Sequence, residues 1–413
     1  MISIILSRSH RFPTVLWLGL LLGILLPAGC DLLLGPDPKS VQQFTAQWER
    51  EAVAAGEIAG LDLAISDQGE ILASYFYEDA NIRVSRLEGG EWNHLEGPSV
   101  SSGLPGDTHL ATGPGGSAAV LYHSGSGTII LPVGTALGTS IALESLEASR
   151  RDTLYPRPQT WTYESADLAF GSDGRMHVVV RGEADDRLWL FRQEASGWSL
   201  GIVPNSQYVS KSIDLEVYGD DREHIVFQAN NQGVYYWWRP DKGWEERLKI
   251  PDSLPYLLKL RQDELSVLVT RDRSIVHVAE EVYDSTGDRY YWRIRTVAED
   301  ELLFWHNMDL VLDENGFPSI IYILYQNWDD QYLIWFTQFE TDGTWSKALV
   351  ASNLRLPYFN PFDVRMVREA SGRIHILLTT GEVSGISGVS QEREKRLIHL
   401  YSDNPLGDPE ENP

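Results

Sequence analysis

Four aspartates recur in one setting. Asp62, Asp167, Asp214 and Asp309 each open a run of alternating apolar residues, and Gly69, Gly174 and Gly316 follow three of them seven places on, with Asp221 in that place after Asp214. Carboxylates in register around an axis could line a cation-binding channel. A polar residue repeated from unit to unit more commonly ties units together by accepting backbone N–H groups, and that structural role is the expectation. His177, His224 and His375 stand three places beyond Gly174, Asp221 and Gly372. Three histidines are the raw material of a zinc site, but equivalent places in separate units keep them apart, so no metal site is expected. Aromatic side chains with polar edges suit a sugar ring or an extended peptide. They crowd the connections that lead into the aspartate-bearing strands: Tyr155, Trp161, Tyr163, Tyr208, Tyr256, Trp305, His306, Tyr358 and Phe359. Trp328, Asp329, Asp330 and the segment 381–395 are expected on the same face. These residues are the candidate ligand contacts, although Tyr163 and Trp305, four places before a register aspartate, also fit packing between units. The chain has no phosphate-binding glycine loop, HExxH or GxSxG motif, and no spacing singles out a carboxylate pair among its 59 acids. No catalytic residue is assigned and no cofactor is expected.

The elements that must position these residues repeat along the chain. After each aspartate and tight turn comes a second run at strand length, such as ILASYFY from Ile71, MHVVVRG from Met176, EHIVFQA from Glu223 and PSIIYIL from Pro318. Weaker copies start near 108, 257 and 363, the last with a turn that reads two residues longer. Starts near 62, 108, 167, 214, 257, 309 and 363 give a period of roughly 43–59 residues, about one four-stranded propeller blade. Third strands follow, and a fourth opens on tryptophan at Trp92, Trp198, Trp244 and Trp345, each after a glycine-containing turn. Trp292 serves the fifth copy, and the second has no clear match.

Closure tests this reading, because an open ring leaves unpaired sheet edges. The last repeat lacks a fourth strand, and residues 47–53, QWEREAV, supply one from the N-terminal side. FTAQWEREAVAA also contains good helix formers, and a helix over 41–55 is the alternative. The fold expected is all-β: a seven-bladed β-propeller of four-stranded antiparallel blades over 41–403, closed by the N-terminal outer strand, with 404–413 a disordered acidic tail.

The repeat resembles the sialidase-like and BNR-like propellers of exported bacterial proteins, over nearly the whole chain beyond the leader. That resemblance implies a fold shared by glycosidases, lectins and proteins of other roles. A sialidase would need an Arg-Ile-Pro motif in the first repeat, which is absent, and Asp342-Gly343-Thr344-Trp345 is a degenerate Asp box, a structural motif in that family.

The leader fixes the expected location. Val15 to Leu26 is an apolar run too short to span a membrane, preceded by Arg8, His10 and Arg11 and followed by Ala28, Gly29 and the single cysteine, Cys30. Leu26-Pro27-Ala28-Gly29-Cys30 resembles a bacterial lipoprotein box, which implies cleavage after residue 29, lipidation of Cys30 and a tether over 30–40. The alternative is an ordinary secretory signal. One cysteine allows no internal disulfide. A formal charge of −25 argues against nucleic acid and against docking on anionic lipid. The function expected is a lipid-anchored extracytoplasmic propeller in the cell envelope that binds an envelope protein or a glycan, with a divergent sialidase-like glycoside hydrolase as the alternative.

Overall fold

The computed structural model describes residues 43–406 apart from short stretches, the longest being 151–160, 384–392, 355–362 and 101–106. Cys30, the leader and the tether lie outside the described residues, as do Tyr155, Trp328, Asp329, Asp330, Tyr358 and Phe359.

Strands β1 (Gln43–Phe44) and β2 (Glu49–Ala55) precede the first complete sheet, β3 (Ile58–Ile65), β4 (Ile71–Tyr77), β5 (Asn81–Glu88) and β6 (Glu91–Ser99). The second sheet is β7 (Thr108–Thr112), β8 (Ala118–Ser124), β9 (Gly127–Val133) and β10 (Ile141–Ala142). After β11 (Ala148–Arg150) comes the third, β12 (Trp161–Phe170), β13 (Met176–Gly182), β14 (Leu188–Glu194) and β15 (Gly197–Ile202). The fourth is β16 (Val209–Tyr218), β17 (Arg222–Ala229), β18 (Gln232–Arg239) and β19 (Gly243–Pro251). The fifth is β20 (Leu254–Leu260), β21 (Ser266–Asp272), β22 (Ile275–Asp284) and β23 (Arg289–Glu299). The sixth is β24 (Leu303–Leu312), β25 (Pro318–Gln326), β26 (Gln331–Phe339) and β27 (Trp345–Leu354). The last holds β28 (Val364–Arg368), β29 (Ile374–Val383) and β30 (Arg393–Ser402), with β2 paired antiparallel to β30.

The expectation of a uniform ring of four-stranded antiparallel blades is corrected. The described strands form seven sheets, and they are not alike. The third and sixth have five strands: β11 adds to β15 in parallel, and β1 adds to β27 antiparallel. The second ends on a two-residue strand, because the chain turns at Leu143–Ser145 into a short 3₁₀ helix instead of a tryptophan-led fourth strand. Beyond that helix the chain adds β11 to the outer edge of the third sheet, parallel to β15.

The second strand of each sheet is covered on both faces by neighbouring sheets. Continuous apolar runs result, with β4, for example, buried at six of its seven positions. Outer strands are wetter, as in β6, where no residue is fully buried. Apolar clusters fill the spaces between consecutive sheets, and the last sheet closes on the first: Leu377 and Leu397 pack with Leu61, Ile71 and Tyr75. Residues 49–55 form a strand, not a helix, and Trp48 just before it is 4% exposed, edge-on to Phe336 at 5.9 Å. Leu406, inside the segment expected as a tail, packs against the same cluster as Trp48.

The tight turn after each innermost strand explains the recurrent glycine. Ser66 N–H donates to the Glu70 carbonyl at 2.9 Å and Gly69 N–H to the Ser66 carbonyl at 3.0 Å, with φ of 80° at Gly69. Glycine adopts that conformation without the Cβ clash that other residues meet. The last sheet repeats the turn through Glu369, Gly372 and Arg373, so its turn is not longer than the others.

Candidate functional site

Five innermost strands are interrupted by a bulge near the end where the chain enters them. Ladder register shifts between Ala59 and Asp62, Thr162 and Ala166, Val209 and Ile213, Pro255 and Leu257, and Leu303 and Met308. Bulges bend a strand and re-aim its side chains, and they concentrate at rims and next to sites. The sequence candidates fall on them. Tyr163 lies in the bulge of β12, Tyr256 in that of β20, and Trp305 and His306 in that of β24, while Trp161 pairs with Gly182 beyond the first of these. The backbone therefore brings Trp161, Tyr163, Tyr208, Tyr256, Trp305 and His306 to one end of the innermost strands of four consecutive sheets.

Tyr208 is the candidate whose side chain is described, and its setting is unusual. It is 67% exposed and has φ of 58°. For a bulky residue that left-handed conformation is a genuine outlier, of the kind that persists only where surroundings enforce it and that clusters at sites. The enforcement is visible. Buried Ser206 accepts the Leu188 N–H at 3.0 Å and donates to the Val203 carbonyl, and Val203 N–H donates to the Leu188 carbonyl at 3.0 Å. Arg181 Nη1 holds the Val209 carbonyl at 2.7 Å. The loop is braced on both sides of an aromatic ring that it presents to solvent.

The axial aspartates do what repetition suggested. An innermost strand has one edge without a ladder partner, and its N–H groups need acceptors. Asp62 Oδ2 accepts the Leu110 N–H of the next sheet at 2.6 Å and its Oδ1 accepts its own neighbour Leu63 at 2.9 Å. Asp167 does the same for Leu215 at 2.6 Å and Leu168 at 2.8 Å, and Asp309 for Met366 at 2.6 Å and Leu310 at 2.8 Å. Asp214 accepts Leu258 N–H at 2.6 Å.

Around the ring the register is not uniformly acidic. In the last sheet Arg365, not Asp363, occupies the aspartate position, one before Met366 as Asp62 is one before Leu63. The two extra residues of that repeat therefore precede its register residue. Arg365 Nε donates to Asp62 Oδ1 at 3.3 Å, while Asp363 Oδ2 accepts Leu61 N–H at 3.4 Å. His109 takes the position in the second sheet, 3.5 Å from Asp167 Oδ1, and Leu257 takes it in the fifth. Lys259, two places on, pairs with Glu216. Sequence reading missed His109 and Arg365 because it searched for aspartate, although the leucine or methionine that follows each register residue would have located them; Lys259, outside the register, had no such signal.

Burial dominates the electrostatics here. It pushes the Asp309 and Asp363 carboxyls up to about 6, against the pull of Arg365, and it raises Asp62 and Asp214 as well. Asp167 is the exception: burial pushes it up, but the contact with His109 and the Leu215 N–H outweigh that and hold it low.

The three repeated histidines stay apart, each engaged by partners of its own. His177 Nδ1 donates to Glu223 at 3.0 Å, a fully buried carboxylate also gripped by Arg192. His224 bonds Tyr235 at 2.6 Å, and the same hydroxyl reaches Ser266 at 2.6 Å. His375 bonds His399 at 2.9 Å and Glu369 at 2.8 Å, and His399 bonds Glu51 at 2.6 Å. Trp92 Nε1 donates to the same Glu51 oxygen at 2.9 Å, so this last group ties β2 to the last sheet and to the first. Among the described residues no group of three histidines, cysteines or acids is placed to hold a metal ion. Asp342 folds back on its own turn, accepting from Thr344 N at 2.9 Å and Thr344 Oγ1 at 2.6 Å, a structural role.

Among solved structures, one described as a new family of polysaccharide lyase, an ulvan lyase, is 8% identical over 83% of this chain and 94% of its own, with a TM-score of 0.52. AofleA from Arthrobotrys oligospora is 12% identical over 75% of this chain and 90% of its own, with a TM-score of 0.50. The chain has a β-propeller fold. A fucose-specific lectin from Aleuria aurantia is a more distant likeness, 10% identical over 77% of this chain and 99% of its own at a TM-score of 0.43. No family model and no curated protein matches the sequence. In this propeller the aspartate register is a structural brace, and the bulged, aromatic-bearing ends of the innermost strands are the candidate binding face.

Proposed function

We propose that this propeller binds a glycan on the face that carries Tyr208, without chemistry of its own, and that it does so outside the cytoplasm, anchored through a lipidated Cys30. The observation that carries the binding reading is Tyr208: an exposed ring, held in a left-handed backbone conformation by a braced loop, beside strands whose bulges bear further aromatic residues. A preordered aromatic platform suits the apolar face of a sugar ring and loses little entropy on binding. A fold neighbour named as a polysaccharide lyase is consistent with a carbohydrate ligand. The hydrolase alternative draws no support from the axis, where Asp62, Asp167, Asp214 and Asp309 are engaged by backbone N–H groups. The anchor reading rests on the sequence of the leader.

The test is to screen the protein lacking its first 30 residues on a glycan array, beside a pull-down from envelope extract. The reading expects a selective glycan signal, no turnover of the hit, and loss of the signal in Tyr208→Ala. A silent array with one enriched envelope protein would replace the glycan with a protein partner. Replacing Cys30 by serine should abolish incorporation of labelled fatty acid; unchanged incorporation would overturn the anchor.

A further inference from the structure

Free outer strands invite edge-to-edge pairing, and chains blunt them with charged side chains, bulges, prolines or short length. Most outer edges here are treated in one of those ways. The strand β6 carries Glu91, Glu96 and Pro98, β19 carries Glu245, Glu246 and Pro251, β2 carries Glu49 and Glu51, and β10 has two residues. Two further edges receive an added strand, β15 from β11 and β27 from β1. The outer strand of the fifth sheet differs. At 11 residues β23 is the longest of the outer strands, contains no proline, and its charges are mostly basic, Arg289, Arg293 and Arg295 against the single acid Glu299, with one register shift against β22 near its end at Val297.

Its surface is equally distinct. Five large hydrophobic side chains are exposed among the described residues, and four of them belong to the β22–β23 hairpin: Tyr283, Tyr290, Tyr291 and Ile294, with Tyr291 at 42% and Ile294 at 56%. Side chains alternate along a strand, so Tyr291, Arg293 and Arg295 share one face while Tyr290 and Ile294 share the other. Glu280 holds Arg295 at 3.2 Å and lies 4.0 Å from Arg293, whose side chain is still 45% exposed. An edge with arginines on one face and apolar groups on the other is complementary to a strand that alternates acid and apolar residues.

We propose that β23 is a docking edge for an extended, acidic segment of a partner protein, which adds to the fifth sheet as an outer strand with acids beside Arg293 and apolar residues beside Ile294. The third and sixth sheets show that this propeller accommodates a fifth strand. A second copy of the same chain fits poorly. An antiparallel copy of β23 centred anywhere from Tyr291 to Ile294 sets arginine opposite arginine, which destabilises the pair. The site is remote in sequence from Tyr208 and independent of the glycan reading.

The experiment is fluorescence anisotropy with a short labelled peptide alternating valine and glutamate, titrated with the protein lacking its first 30 residues. The expected result is saturable binding that weakens about tenfold in Arg293→Glu and Ile294→Lys, the scale of a reversed charge pair or a lost apolar contact at an edge. The melt of Ile294→Lys should match the wild type, since that side chain is exposed, and Arg293→Glu, which sets a second acid opposite Glu280, should melt only slightly lower and stay folded at the assay temperature. A valine–lysine peptide should bind Arg293→Glu in preference to the wild type. Absence of binding, equal binding of the two peptides, or affinity unchanged by both substitutions would overturn the proposal. So would sedimentation showing a dimer that Arg293→Glu dissociates, which makes the occupant a second copy, or a glycan signal lost in Tyr291→Ala, which makes it a sugar.

Discussion

Replacing Asp167 by alanine tests whether the axial carboxylates are braces. The substitution removes the acceptors of the Leu168 and Leu215 N–H groups, at 2.8 and 2.6 Å, and the partner of His109. A buried donor left without a partner costs about 1–3 kcal/mol. The Asp167 side chain is 14% exposed, so water from the axis reaches part of the vacated space and the lower half of that range applies to each N–H. The expected loss is about 2–4 kcal/mol at neutral pH. Urea unfolding followed by tryptophan fluorescence measures it, provided the m-value is unchanged. Asp167 is the axial carboxylate held low, so its charge is favoured in the fold and nothing offsets the loss. A loss under about 1 kcal/mol, or a gain from relieved repulsion among the axial acids, would refute the brace.

Asp309 should behave differently with pH. Its carboxyl is raised to about 6 by burial, so the folded chain holds a proton there that the unfolded chain has released; this contribution is greatest below about 4 and lost as pH rises to 6. Asp309→Asn should therefore show a stability relative to wild type that improves between pH 4 and 6 and levels off above, read as the difference in urea midpoints; a flat difference contradicts it. The histidine pair carries the opposite sign. Burial lowers His399 to about 4 and lowers His375, so their contribution is intact above the unfolded value near 6.5 and lost as pH falls toward 4. In His399→Gln the fall in Tm over that window should be shallower than in wild type, and an equal slope would assign the acid sensitivity elsewhere. Trp48→Ala empties a nearly closed site at the junction of the sixth and last sheets and should lower stability by about 3–5 kcal/mol; a loss below 1 kcal/mol would mean the closure does not depend on it.

Much of this fold was legible because its units repeat. Gly69, Gly174, Gly316 and Gly372 mark equivalent turns with φ between 78° and 93°, and the hairpin tryptophans pack against the clusters between sheets, as Trp198, Trp244 and Trp345 show. What repetition did not reveal depends on partners distant in sequence. The brace aspartates could be named, and Met366 marks Arg365 as standing at the same place, but the contact of Arg365 with Asp62, 303 residues away, has no local signal. The buried pair of His177 with Glu223 likewise joins different sheets, and His399 meets Glu51 across the strand pair that closes the last sheet, 348 residues apart, so no local spacing encodes either. The candidate face shows the same division. Aromatic residues before the innermost strands were visible as composition, whereas the bulges that hold them, and the left-handed backbone of Tyr208, follow from how the loop is tied to Leu188 and Arg181. The added strands β1 and β11 had no sequence signature because they are two and three residues long.

The central claim is that Tyr208 is presented for a ligand at the expense of local backbone strain. Glycine at 208 adopts the left-handed conformation freely, so Tyr208→Gly should leave Tm equal or slightly raised, since an L-residue there carries about 1–2 kcal/mol of strain. Titrating the array-selected glycan against wild type and Tyr208→Gly is the decisive measurement. The account predicts loss of binding without loss of stability. Undiminished binding by Tyr208→Gly would contradict it.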